Sequence, residues 1–324
     1  MPKSATLPAI HDRYDDVKSV NYFGDLYGGL WTETYASIQA AIAAAAAEHD
    51  VMLAKSVNHD AALMAKLAAY GDRYATLGAL SYRQTLAATK LVWNSNRSTA
   101  WNFLKEISTN GDMQTMDVIY PASPMLLYTN PELLKLLLLP VLAYAHNETY
   151  IRFGNPYSPH QLGTYPIGDS PTAAQEPMPL ENSGNMFFMI LGIVQQQQKA
   201  EGGAGPANTS WFYPEYFPML QRWADELVRT TEFPADQICT DDFTGRLANN
   251  TNLGAKGIVA LEAFAQLCNL TGAGRAGTNC SFYSAAVSEI PPTSPFRLQR
   301  CWCQDKEYLL RLSWSPSAHT HPCL

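Results

Sequence analysis

The chain has 324 residues, of which 47% are apolar and 16% are charged, and its formal net charge is −7. The apolar fraction is sufficient for a buried core, and the acidic balance argues against a nucleic-acid-binding protein, which would need clustered Lys and Arg. The longest apolar run, residues 133–145, contains Lys135 and Pro140 and is shorter than the roughly 20 residues of a membrane span.

The amino-terminal half is predicted to be mainly helical. Residues 32–70 are rich in strong helix formers and contain no Pro or Gly, which favours two helices with a hinge near residues 57–59. The helical spacing of apolar residues continues through 71–93. The best candidate for a strand is 113–121 (MQTMDVIYP), which would place Asp117 in an extended, mostly apolar segment.

A clear helix start is predicted near residue 130. Asn130 is a good capping residue, Pro131 suits the first helical position, and Glu132 places a carboxylate in the first turn. Pro140 lies within the helix that follows and is predicted to kink or split it.

The second half is predicted to contain three further helices, at residues 184–200, 216–231 and 252–270. The segment before them, 152–186, has many Pro and Gly residues and no helical spacing. Loops beyond roughly 12–15 residues are uncommon unless they are functional or disordered, and we interpret this one as a pocket-forming loop. Helices paired through long loops favour an all-α toroid over a plain bundle, whose connections are shorter.

The expected domain boundaries follow a change in composition. Residues 15–272 form one helical domain in this prediction, after an unstructured amino end at 1–14. Residues 273–324 are rich in Ser, Pro, Cys and Arg, and we expect an aberrant or disordered tail; a genuine cysteine-rich tail is the alternative. Cys239 and Cys268 could form a disulfide, which the sequence alone leaves open.

Glycosylation sequons (N-x-S/T) are more frequent than chance predicts, since about two would be expected and six occur. They favour a secreted glycoprotein whose signal is missing from this chain, because the amino end lacks an apolar signal core. An Asn- and Thr-rich surface is the alternative interpretation. Glycosylation is predicted at Asn96, Asn147, Asn208, Asn249 and Asn269, and the sixth sequon is at Asn279.

The end of the long loop carries the first candidates for chemistry. Glu181 and Asn182 directly precede a helix predicted to start near Gly184. The free N–H groups of a helix amino end stabilise a carboxylate and also bind anions, so Glu181 is either an acid or base or a capping carboxylate. His160 could donate a hydrogen bond to a substrate carbonyl, or it could simply pack within the loop.

A second set of candidates lies in the segment TDDFTGR, residues 240–246. The adjacent carboxylates of Asp241 and Asp242 disfavour each other's ionisation, which offers an acid and a base in one place. The alternative is an Asx turn that leads into a helix. Asp117 is a further candidate, because a carboxylate in an apolar segment needs a partner, whether catalytic or structural.

Four blocks of sequence together resemble the fungal glutaminase A family. They are residues 19–31 (SVNYFGDLYGGLW), 105–145, 160–186 and 233–258, and they occur in the family's order. The resemblance implies an extracellular hydrolase with a helical toroid like that of six-hairpin glycosidases. Family members are longer at both ends, which implies that this chain forms an incomplete toroid. Gln161 stands where many members have Asp, so any role of an acid at that position is lost.

For a glutaminase, the resemblance implies a site that holds an amino-acid zwitterion and delivers water to its side-chain amide. Glu181 and Asp242 would act as general base and acid, and Asp241 would bind the α-ammonium group. Arg246 or Lys256 would bind the α-carboxylate, with Arg favoured for its bidentate geometry. The other predicted substrate contacts are His160, Asn182 and Asn185.

Two other functions stay open from the sequence. A glycoside hydrolase also uses paired carboxylates and also occurs on a helical toroid, and an inactive truncated product is the third possibility. A cation clustered in the pocket would favour the amino-acid substrate, whereas aromatic rings without a cation would favour a sugar. We expect a small-molecule ligand, no nucleic acid, no membrane, no metal and no cofactor; the oligomeric state is open.

Overall fold

The computed structural model describes residues 19–93, 98, 100–106, 110–147, 155–170, 178–203, 207–239 and 245–288. Over these residues the chain is mainly helical, which confirms the predicted class, and short antiparallel strand pairs connect the helices. The helices are α1 (Ile38–Ala47), α2 (His49–Ala68), α3 (Asp72–Ala87), α4 (Met116–Thr129), α5 (Pro131–His146), α6 (Pro179–Ala200), α7 (Phe217–Thr230), α8 (Thr251–Thr271) and α9 (Cys280–Ser288).

The strands form three separate pairs within the described residues. β1 (Val20–Tyr22) pairs with β2 (Asp25–Tyr27), β3 (Thr89–Trp93) with β4 (Ala100–Leu104), and β5 (Asp112–Met113) with β6 (Gly163–Thr164). In the last pair Asp112 lies opposite Thr164 and Met113 opposite Gly163. This pair joins the chain before α4 to the long loop before α6.

Successive helices are in contact as hairpins: α2 with α3, α4 with α5, α6 with α7, and α8 with α9. The core lies where α5, α6 and α8 meet, and Leu137, Ile190 and Phe264 are fully buried there. Among the helices that the structure describes, none is long and apolar enough to cross a membrane.

The first helices of three successive hairpins, α4, α6 and α8, run in the same direction. The rings of Tyr120 and Phe188 lie 5.8 Å apart, and further along both helices Leu127 packs against Gly192. Between α6 and α8, Gly184 contacts Lys256, and Phe187 lies 5.1 Å from Phe264. In both pairs of helices, a residue further along one helix contacts a residue further along the other. The helices therefore run parallel, and the amino ends of all three lie at the same end of the domain.

The predicted start of α5 is confirmed. Asn130 Oδ1 accepts a hydrogen bond from the Glu132 N–H at 3.2 Å, and Pro131 occupies the first helical position. Of the two outcomes predicted at Pro140, a kink or a split, the split is wrong, since the helix continues to His146. An interior proline costs about 3 kcal/mol, and burial of nearly every side chain from Leu137 to Ala145 outweighs that cost.

The strand predicted at 113–121 is also wrong. Only Asp112–Met113 is extended, and α4 begins at Met116. Met116, Ile119 and Leu126 are buried at helical spacing, so tertiary packing favours the helix although it contains two prolines. Asp117 therefore lies in the first turn of a helix rather than in an extended segment.

Two further boundaries differ from those predicted. The break between the first two helices falls at Glu48 instead of residues 57–59. Helix α6 begins at Pro179, ahead of the predicted Gly184, because a proline suits the first helical position. As a result, Glu181 and Asn182 lie inside the first turn of the helix rather than before it.

A disulfide bond links the last two described helices. Cys268 of α8 forms a disulfide with Cys280 of α9, whereas Cys239 is buried and free, which excludes the pairing of Cys239 with Cys268. Tyr283 of α9 donates a hydrogen bond to Asp225 Oδ1 of α7 at 2.8 Å. The packed chain therefore extends past residue 272, where we placed the domain boundary. The predicted amino end and residues 289–324 of the predicted tail lie outside the described residues.

Candidate functional site

A buried cluster of charged and polar groups links the amino-terminal turns of α6 and α8. Glu181 is fully buried, and its Oε1 atom accepts a hydrogen bond from the ammonium group of Lys256. The same ammonium donates to Asn185 Oδ1 at 3.0 Å, and Asn185 Nδ2 donates to Glu181 Oε1 at 3.3 Å. Only 12% of the Lys256 side chain is exposed, so this is an ion pair held away from bulk water.

The local sequence explains how this cluster is assembled. Glu181 and Asn185 are four residues apart, which places them on one face of α6. Gly184 lets α8 approach closely, because a Cβ at that position would lie 3.0 Å from Lys256 Cγ. The first turn of α6 is capped from a distant part of the chain, where Gln237 Oε1 accepts a hydrogen bond from the Leu180 N–H at 3.1 Å.

Helix α4 supplies a residue that the sequence analysis missed. The ammonium nitrogen of Lys256 lies 4.8 Å from the centre of the Tyr120 ring, within the range of a cation–π interaction. Burial, reinforced by the negative charge of Glu181, raises the pKa of the Tyr120 hydroxyl. Asp117 lies three residues earlier on the same helix and therefore near the same face. The three-residue spacing from Asp117 is the sequence feature from which Tyr120 could have been predicted.

The long loop contacts the amino ends of both α4 and α6. The carbonyl oxygen of His160 accepts a hydrogen bond from the Met116 N–H at 2.7 Å, and the Ser158 N–H donates to Ser183 Oγ at 3.1 Å. His160 and Gln161 are both buried. The described part of the loop, residues 155–170, thus packs against the amino ends of two helices that carry residues of the cluster, and its role in a pocket stays a prediction.

The backbone makes this end of the domain electropositive. The amino ends of α4, α6 and α8 lie together there, and the dipole of each helix contributes a partial positive charge, although first-turn N–H groups such as those of Met116 and Leu180 are already hydrogen-bonded. The carboxylate of Glu181 is stabilised by this potential and by Lys256, and Asp117 places a further carboxylate in the first turn of α4. An anion or a developing oxyanion is favoured at such a site, whereas a second cation is not.

The remaining predicted site residues lie elsewhere or outside the described chain. Arg246 is half-exposed, and its Nε donates to Asp236 Oδ2 at 2.9 Å, so its guanidinium is engaged in a surface ion pair. Asp241 and Asp242 lie outside the described residues, and their roles stay predictions. The residues on either side of these two aspartates are held together by a β-bridge between Gln237 and Leu247. Because Gln237 also caps α6, the chain next to Asp241 and Asp242 is connected to the cluster.

The sequon asparagines that the structure describes are accessible. Asn147 is half-exposed, and Asn208, Asn249, Asn269 and Asn279 are exposed. Asn96 lies outside the described residues. Glycan attachment at these positions stays a prediction.

The described residues contain no group of three or more His, Cys, Asp or Glu arranged to hold a metal ion. The described part of the cluster offers a buried carboxylate, an ammonium group, amide side chains and helix amino ends. Such a set can hold a polar small molecule and move a proton.

Comparison with known proteins identifies the family. The family model described as "Glutaminase A six helical-hairpin domain" matches residues 71–290. The protein named Glutaminase A of Aspergillus oryzae is 42% identical over 206 residues, which cover 63% of this chain and 28% of that protein. A protein of Arthroderma benhamiae named a probable glutaminase is 33% identical over 270 residues, with 68% of this chain and 30% of that protein covered.

The chain thus spans less than a third of the length of either relative. The family match, in contrast, covers most of this chain and includes every described residue of the buried cluster. The resemblance inferred from the sequence blocks is confirmed, and the chain belongs to the glutaminase A family through its six helical-hairpin domain.

Proposed function

We propose that this chain carries the amide-hydrolysing site of a glutaminase-like enzyme, which converts L-glutamine and water to L-glutamate and ammonia. The observation that carries the proposal is the buried cluster of Glu181, Lys256 and Asn185, built from two helices of the matched domain. Burying a charged pair is costly, and a protein that retains one commonly uses it. The names of the two relatives support the substrate.

In the proposed reaction, Glu181 acts as the general base. It takes a proton from water while the water oxygen attacks the carbon of the side-chain amide. The oxyanion that forms is stabilised by the partial positive charge at the amino ends of α4 and α6 and by the Lys256 ammonium group. The C–N bond then breaks, and ammonia leaves with a proton from a general acid, for which Asp242 remains the predicted residue.

Lys256 has a part in the same site. It orients the Glu181 carboxylate and brings a positive charge to the region where the α-carboxylate of an amino acid would bind. Both cations are already paired, Lys256 with Glu181 and Arg246 with Asp236. Arg246 is the weaker candidate for that role because it lies at the surface, outside the buried cluster. The buried cation favours an amino-acid substrate over a neutral sugar.

We also propose that the helix pairs are arranged around an axis as part of an (α/α) toroid. Support comes from the common direction of α4, α6 and α8, since the first helices of successive pairs in a toroid all run the same way. A crystal structure with these three helices in one flat layer would contradict this arrangement.

The substrate is tested by assaying one preparation of the chain on two kinds of compound. We expect ammonia release from L-glutamine, measured by an enzyme-coupled assay, and no release of nitrophenol from nitrophenyl glycosides. Cleavage of the glycosides alone would replace the proposed function with glycoside hydrolysis. A chain that melts in one cooperative transition and attacks neither compound would show that this chain is an inactive member of the family.

A further inference from the structure

Asn182 carries a buried oxygen atom for which no described residue provides a hydrogen-bond donor. Asn182 lies in the first turn of α6 and is 1% exposed, and its Oδ1 is fully buried without a partner. A buried acceptor without a donor costs free energy that the fold must recover elsewhere. Such an atom beside a polar cluster needs a donor from outside the described residues, and a bound ligand can supply it.

The position of Asn182 on α6 places this oxygen beside the cluster. Successive residues of an α-helix are separated by about 100° around its axis, so Asn182 lies between Glu181 and Ser183. Glu181 faces Lys256, and Ser183 Oγ accepts the hydrogen bond from the Ser158 N–H of the loop. The Asn182 side chain therefore leaves the helix between the ion pair and the loop that carries His160.

The chemistry of this position restricts the donor that it can accept. Glu181 neutralises the charge of Lys256, so the local potential is set by the partial positive charges of three helix amino ends, which disfavour an additional ammonium group. A neutral N–H donor avoids that repulsion and suits the neutral amide oxygen of Asn182. The –NH₂ of a primary carboxamide is such a donor, whereas a carboxylate has no hydrogen to offer.

We propose that Asn182 Oδ1 accepts a hydrogen bond from the –NH₂ group of the substrate's side-chain amide, and that this contact makes the site select a carboxamide over a carboxylate. The proposal rests on the proposed function. L-glutamine and L-glutamate share their α-groups and differ only at the end of the side chain. Substrate would thus be held and product released, because a carboxylate oxygen and Asn182 Oδ1 are both acceptors and repel each other.

The test replaces Asn182 with Leu, which has similar size and no acceptor. Two constants are measured for each protein: KM for L-glutamine and the inhibition constant for L-glutamate. In the Asn182→Leu variant we expect the ratio of the glutamate constant to the glutamine constant to fall about tenfold, which corresponds to one hydrogen bond. The matched control is Asn252→Leu, an exposed first-turn asparagine of α8, for which the ratio should not change.

Two results would overturn the role of Asn182. If both constants rise by the same factor, Asn182 contacts the groups that the two amino acids share. If neither constant changes, the oxygen has no ligand. A wild-type chain that releases no ammonia, and whose melting temperature neither amino acid raises, would overturn the proposed function and this inference with it.

A second measurement uses the wild-type chain and therefore does not depend on the folding of a variant. The γ-methyl ester of L-glutamate keeps the carbonyl and the α-groups of glutamine but lacks the –NH₂ donor. We expect it to compete with L-glutamine with an inhibition constant about tenfold above the KM for glutamine. Equal constants would contradict the proposed contact while leaving the hydrolase activity established.

Discussion

Two helical regions of the molecule differ sharply in how they are stabilised. In the arm, defined as α1, α2 and α3 (residues 38–87), Ala75 is the only fully buried residue. In the bundle, defined as α4 to α9 (residues 116–288 where described), whole faces of α5, α6 and α8 are buried. Large apolar side chains of the arm are exposed, among them Val51, Leu53, Val57, Tyr74, Leu77 and Leu80.

The helices of the two regions therefore form for different physical reasons. The arm is rich in residues of high helix propensity, so local preference and the contact between α2 and α3 hold it. The bundle contains Pro121, Pro124 and Pro140 inside its helices, which local preference alone would reject. Burial forms the bundle helices, and the polar cluster lies between two of the most deeply buried ones, α6 and α8.

The family match follows this division only in part, because it includes α3 of the arm. It begins at residue 71, so α1 and α2 lie outside it, whereas the bundle lies inside it. The arm meets the bundle where the Lys66 ammonium lies 5.7 Å from the Tyr128 ring. Matched substitutions in the two regions can test whether the contrast in burial corresponds to a contrast in stability.

The largest effect is expected in the bundle. Leu138 is fully buried in α5, and Leu138→Ala removes apolar contacts and leaves a cavity among well-packed neighbours. We expect a loss of about 2–5 kcal/mol in the free energy of unfolding, measured by urea titration followed by circular dichroism. A loss below about 1 kcal/mol would show that the bundle is loosely packed around α5.

The same substitution in the arm should have almost no effect. Leu77 is 63% exposed in α3, and Leu77→Ala removes few contacts while Ala slightly favours the helix. We expect a change within about 0.5 kcal/mol in the same titration. A loss comparable to that of Leu138→Ala would mean that the arm is covered in solution by another molecule, and dilution of the protein would then lower its stability further.

The sequence predicted those parts of the fold that depend on local signals. The capping role of Asn130 and the extents of α7 and α8 followed from residue type and spacing. Local signals failed at 113–121 and at Pro140, where burial in the assembled bundle outweighs proline and β-branched residues. The partner of Cys268 also required three-dimensional proximity, since nothing in the spacing distinguishes Cys280 from Cys239.

The candidate site, like the fold, could be predicted from the sequence only in part. Glu181, Asn182, Asn185 and Lys256 were singled out from the sequence, and the structure brings the helix ends that carry them together. The ion pair between Glu181 and Lys256 could not be predicted, because the two residues are far apart in the chain. The bidentate geometry of its guanidinium favours Arg246 as the cation, but Arg246 is paired with Asp236 at the surface.

The central claim is that Glu181 is the general base of a glutamine amidohydrolase. The most direct measurement is ammonia release from L-glutamine by Glu181→Gln, which keeps the shape of the side chain but removes its basicity. The matched control is Glu132→Gln, since Glu132 is also a first-turn glutamate paired with a lysine, Lys135, but lies half-exposed. Circular dichroism melts establish that each variant is folded before it is assayed.

The proposed mechanism predicts that kcat falls about 10²- to 10⁴-fold in Glu181→Gln and stays unchanged in Glu132→Gln. A folded Glu181→Gln protein that releases ammonia at the wild-type rate would contradict the account, because the buried pair with Lys256 would then serve only the stability of the fold.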